Sequence, residues 1–161
     1  MSKKAGHKAL DSEAIKRGVR GAFLAWLVPG AGHFALGARR RAVVFFAVIV
    51  FTIGIGLACD GNLAVVDAQR APVLSGLQLV GNVALGPVEP LIRYALYGRL
   101  VYQHPGEGSP VPSAKKRAID VRTQRSFRAF SIYGTAYLMA AGLMNMLLIM
   151  DAWDIGIGRR R

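Results

Sequence analysis

The sequence predicts an all-α integral membrane protein with three to four transmembrane helices, a kinked or re-entrant N-terminal hairpin and a basic interfacial helix. Three observations carry that expectation. Residues 42–58, 71–88 and 129–150 contain no Asp, Glu, Lys or Arg, and a spanning helix needs about 20 predominantly apolar residues to cross the hydrocarbon. Hydrophobic residues make up 53% of the chain, and they are concentrated in those runs. Every Lys and Arg lies outside those runs, where cations set orientation and meet lipid headgroups.

The 161 residues leave room for one domain. Residues 1–20 read as a basic polar segment and 21–161 as a single multi-pass membrane domain. Its apolar segments fall at about 21–38, 42–58, 72–99 and 129–150, with a polar basic loop at 100–128. The net charge of +12 points to anionic headgroups, with Arg39, Arg40, Arg41, Lys115, Lys116 and Arg117 as the contacts. Nucleic acid is a poor partner, because no aromatic residues interleave with a basic face. The single Cys59 excludes an internal disulfide.

In chain order, Asp11 or Ser12 is placed to cap a short helix running toward Arg20. The apolar stretch 22–28 is at the bottom of the length range for the core of a cleaved signal, which argues against cleavage. Residues 21–38 are interrupted by Pro29-Gly30-Ala31-Gly32, a turn-forming cluster. If this segment returns to its starting side, the chain has three crossings and 16 Lys/Arg oppose four; if it spans, ten oppose ten. The positive-inside rule selects the return, with Arg159-Arg160-Arg161 as the one dissenting group. Residues 42–58 form the first full crossing. Leu57-Ala58-Cys59-Asp60 imitates a lipoprotein signal but lies too far from the N-terminus to be one. Gly86-Pro87 and Pro90 split 72–99 into two helical pieces joined by a kink. Glu89 and Arg93, four apart on one helix face, read as an intramembrane ion pair near the interface, where Arg snorkels. Residues 103–113, with three prolines and two glycines, read as loop, and 114–128 as a surface helix.

The last crossing ends at Asp151 and Asp154. Asn82 and Asn145 are placed for interhelical hydrogen bonds, and Ala136, Ala140, Ala141 and Gly142 for close packing. Asp151 and Asp154 read as an interfacial acidic pair, with Trp153 in the aromatic belt. The sharper alternative pairs Asp151 with His33 or with one of Arg39–Arg41, but three crossings put them on opposite sides. His33 therefore reads as a packing or capping residue. A metal site needs three or four ligands, and His7 and His104 are poor companions in polar segments. No internal repeat is legible.

The string Trp26-Leu27-Val28-Pro29-Gly30-Ala31-Gly32-His33-Phe34-Ala35-Leu36-Gly37 resembles the PG-x-GH-x-x-LG signature of the two-transmembrane-helix domain and related small bacterial membrane families. Ala35 stands where that domain usually carries Tyr. With the C-terminal string from Gly134 through Ala141-Gly142-Leu143-Met144-Asn145 to Asp151-Ala152-Trp153-Asp154-Ile155-Gly156, the chain is similar to a bacterial membrane-protein family known only as a domain of unknown function. Between residues 60 and 128 the likeness is one of hydropathy. The resemblance implies a location and a fold class, and no activity.

The sequence contains no paired Cys, HExxH, GxSxG or P-loop. It predicts a non-catalytic protein of the cytoplasmic (inner) membrane, N-terminus in the cytoplasm, with no cofactor and no metal. Such a protein works through helix association, as a homo-oligomer or with a membrane protein partner. The alternatives are a small oligomeric channel or transporter using the broken helix at Gly86-Pro87, and a lipid-active enzyme using His33 and Asp151 as acid and base.

Overall fold

A computed structural model describes residues 12–66, 72–103, 112–125 and 129–160. His7, His104, the first eleven residues and most of the proline-rich loop lie outside the described residues. The described chain is helical throughout, with one isolated parallel bridge between Val66 and Gln103. Its elements are α1 (Ser12–Leu27), α2 (Ala31–Ala35), α3 (Arg39–Ala58), α4 (Pro72–Val83), α5 (Val88–Tyr97), α6 (Ser113–Arg125) and α7 (Ala129–Gly156). Two helices, α3 and the segment Phe130–Gly156 of α7, are long and apolar enough to cross a membrane.

Helix α7 is the axis against which α1, α3 and α4 pack. Its inner stripe is Ser131, Gly134, Leu138, Ala141, Gly142, Asn145, Leu148, Ala152 and Gly156, all buried, at the three-to-four-residue spacing of one helix face. Two of the small residues expected inside are not there: Ala136 and Ala140 are exposed, while Ala141 and Gly142 are buried. Small residues occur on both faces of α7, and composition alone does not phase them.

Helix α3 runs antiparallel to α7. Arg39, Arg40 and Arg41 share a hollow with Ile155, Phe45 and Ile49 share a groove with Met144 and Leu148, and Gly56 packs on Leu138 and Gly134. Helix α1 is also antiparallel to α7, with Gly18 against Trp153 and Ile157 and Gly21 against Ala152. Trp153, half-buried, packs on Gly18. The chain then breaks at Pro29-Gly30, where Gly30 has φ +84 and lies against the Ala42 backbone. Left-handed backbone is the province of glycine. Beyond the break, Gly32 of α2 contacts Gly21 and Ala25, so α2 lies back along α1.

The middle of the chain repeats this pattern from the other end of α7. Helix α4 is parallel to α7: Gly81 meets Met139 and Leu143, and Asn145 Nδ2 donates to the Ala84 carbonyl at 2.8 Å. Gly86 has φ +70 and sits where a Cβ would fall 1.9 Å from the Trp26 carbonyl oxygen. Helix α5 then returns, and its Tyr97 hydroxyl bonds Asn62 Oδ1 at 2.7 Å. The Asn62 amide in turn donates to Thr135 Oγ1 near the start of α7. The split of 72–99 into two pieces follows the sequence reading. Neither piece, at 12 and 10 residues, approaches the length of a crossing.

Candidate functional site

Buried polar side chains gather at the two ends of α7. At its C-terminal end His33, on α2, is fully buried, and its Nε2 lies 2.9 Å from Asp151 Oδ2. The other carboxylate oxygen of Asp151 accepts from Arg160 Nη1 at 2.9 Å. Phe45 packs edge-on against the imidazole, with ring centroids 5.1 Å apart. The expectation that Asp151 stands apart from His33 is corrected here. It depended on 72–99 crossing the bilayer, whereas α2 and the end of α7 lie side by side. Asp154 faces Arg159 at 3.8 Å.

In the neutral imidazole, an Nε2–H donated to the Asp151 carboxylate leaves Nδ1 as the acceptor nitrogen. That nitrogen is sealed from solvent and has no partner, so no substrate atom reaches it in this arrangement. The dyad meets the distance needed for acid–base work but holds its free nitrogen in the core. Its visible work is to tie α2 to α7. Asp151→Leu is expected to lower stability by about 1.5–3 kcal/mol, the scale of a charge-assisted hydrogen bond, and Asp151→Asn by clearly less. Thermal unfolding in detergent reads both, and an unchanged Asp151→Leu protein contradicts the structural role.

At the opposite end Glu89 and Arg93 are both buried, 1% and 0% exposed. Arg93 Nε and Nη2 lie 2.6 and 2.5 Å from Glu89 Oε1. Its guanidinium also donates to the Val101 carbonyl and, at 3.0 Å, to that of Ala64. It lies 4.4 Å from the Tyr102 ring centroid, and the Tyr102 hydroxyl donates to Glu89 Oε2 at 3.2 Å. The predicted ion pair is present. The snorkelling expectation is corrected, because the guanidinium points into the protein and fastens both flanking segments onto α5.

Between these clusters Asn145 is wholly buried, with its Oδ1 unpartnered. Of the turn glycines, Gly37 has φ +87 in open space, while Gly30 and Gly32 are packed against backbone. Lys115 and Arg117 are exposed on α6. Among the described residues no group of three or more His, Cys, Asp or Glu could hold a metal ion. Arg160 and Tyr102 are the participants that sequence reasoning missed. Arg160 was counted as an orientation signal, and Tyr102 sat in a segment read as loop.

A groove of about 770 Å³ lies between α3 and α7. Arg41, Asp151, Asp154 and Arg160 form its polar end, and Val44, Phe45, Val48, Ile49, Met144, Leu147 and Leu148 its apolar walls. One family model, described as a family of unknown function (DUF6677), matches residues 21–161. No curated protein matches, and no solved structure matches.

Proposed function

We propose, for a chain that belongs to that family of unknown function, a non-catalytic protein of the cytoplasmic membrane that acts by helix association. The observation that carries the membrane reading is exposure. Only 17% of the apolar window of α3 and 33% of that of α7 is buried inside the protein, whereas the core helix of a soluble protein is mostly buried. Phe46, Phe51, Phe130, Leu147 and Met150 all face outward. Contiguous apolar surface on this scale calls for a lipid or protein cover.

In this reading α3 and α7 are the two full crossings. The pairs α1–α2 and α4–α5 are re-entrant, entering from opposite sides and touching where Gly86 meets Trp26. Irregular backbone at membrane depth is tolerated only where protein covers it, and both breaks are so covered. Lys16, Arg17, Arg20, Arg39, Arg40, Arg41, Arg159 and Arg160 then share one face. The other face carries Arg99, Lys115, Lys116, Arg117 and Arg122, which favours a cytoplasmic N-terminus. The chain is expected in the membrane pellet of lysed cells, resisting an alkaline wash. Recovery in the supernatant without detergent contradicts the reading.

A second reading, a small oligomeric channel or transporter, is favoured by one observation. Two broken helix pairs of inverted direction, α1–α2 ahead of α3 and α4–α5 ahead of α6 and α7, meet where Gly86 lies on Trp26, as in transporters built from inverted repeats. Ion flux in proteoliposomes that is lost in Gly86→Val supports it, and absence of flux in the wild type removes it. The lipid-active enzyme is the weakest reading, because Nδ1 of His33 is sealed.

A further inference from the structure

We propose that the groove between α3 and α7 is a binding site for one anionic membrane phospholipid, its phosphate at Arg41 and an acyl chain along the apolar walls. The inference rests on the membrane reading above and adds a specific ligand to it. The groove is amphiphilic along its length. Arg41 and Arg160 stand at one end, and Val44, Val48, Met144 and Leu147 line the rest. From Arg41 to Ile49 along α3 is about 12 Å at the helical rise, enough to lay a substantial part of an acyl chain against protein.

Charge selects the headgroup. Asp151 is already held by His33 and Arg160, and Asp154 faces Arg159. Arg39, Arg40 and Arg41 have no carboxylate partner among the described residues; Arg39 stacks on the Phe34 ring at 5.6 Å. These three arginines line a second hollow of about 540 Å³, which shares Arg41 with the groove. The mouth therefore has cationic groups to spare, in the guanidinium form that binds phosphate oxygens in pairs. A neutral-headed lipid satisfies the walls and leaves this charge unmatched.

The test is native mass spectrometry of the full chain purified in mild detergent, with phosphatidylglycerol or phosphatidylcholine added back. One phosphatidylglycerol per chain is expected on the wild type, retained well above phosphatidylcholine. Arg41→Ala should weaken phosphatidylglycerol about tenfold, the scale of one charge-assisted hydrogen bond. Leu147→Trp, which narrows the groove without touching charge, should remove both lipids. Equal retention of the two lipids, no lipid on the wild type, or undiminished binding by Arg41→Ala each overturns the proposal. So does a lipid-free mass of two chains, which assigns the groove to a second copy. Fractionation of the same cells separates the two levels: a membrane-bound chain without lipid sinks the site alone, and a soluble chain sinks the membrane reading.

Discussion

Arg93→Met is expected to cost about 3–5 kcal/mol of stability, the scale of stranding one partner of a buried ion pair. Methionine keeps much of the side-chain volume, so the loss is electrostatic rather than a cavity. It leaves the Glu89 carboxylate buried with only the Tyr102 hydroxyl, and it frees the Val101 and Ala64 carbonyls from their donor. Since those carbonyls lie in the two segments flanking the α4–α5 unit, the change loosens that unit as a whole. Lysine cannot substitute, because one ammonium lacks the fork that reaches a carboxylate and two carbonyls together. The double variant Glu89→Gln, Arg93→Met is expected to recover part of the loss, since it removes the stranded charge. Thermal unfolding in detergent measures all three. A loss below about 1 kcal/mol for Arg93→Met contradicts a buried pair.

The second large effect is expected at Gly142. A Cβ there would fall 1.9 Å from the Gly81 carbonyl oxygen, so the atom struck is backbone and cannot rotate away. Gly142→Ala is expected to cost about 3 kcal/mol, the upper part of the range for overpacking, by pushing α4 off α7. The Asn145 bond to the Ala84 carbonyl stretches with it. Gly54 is the control: a Cβ there meets nothing within 4 Å. Gly54→Ala should be neutral or gain up to about 1 kcal/mol from helix propensity. Equal responses of the two variants in the same unfolding assay contradict the close α4–α7 contact.

Much of this architecture was legible in the residues. The charge-free runs located α3 and α7, and the basic composition of 114–128 located α6. Pro29-Gly30 and Gly86-Pro87 marked both breaks, and the spacing of Glu89 and Arg93 gave their pairing. The counting of Lys and Arg favoured a return after Pro29-Gly30, but the direction taken after Gly86-Pro87 was not legible, because proline and glycine permit a kink and a reversal equally. Tertiary contacts decide it: Gly32 on Gly21 in one case, Tyr97 on Asn62 in the other. That one ambiguity propagated. Counting 72–99 as a crossing put Asp151 opposite His33 and made Arg159 to Arg161 an anomaly. In the proposed two-crossing arrangement, Arg159 and Arg160 share a side with Arg39, Arg40 and Arg41. The opposed directions of the α1–α2 and α4–α5 pairs left no trace in the residues, since His33 in one half and Glu89 with Arg93 in the other share no pattern.

The central claim is two crossings, with the starts of α1 and α3 and the end of α7 on one side, and thiol labelling tests it most directly. In a Cys59→Ser background, single cysteines replace Arg40, Lys115 and Arg159, all exposed. They are probed on intact cells with a reagent that does not cross membranes. The two-crossing account predicts that Arg40→Cys and Arg159→Cys behave alike, protected until the cells are opened, while Lys115→Cys is labelled from outside. Lys115→Cys behaving like Arg40→Cys, with Arg159→Cys opposite to both, is the signature of three crossings and contradicts it.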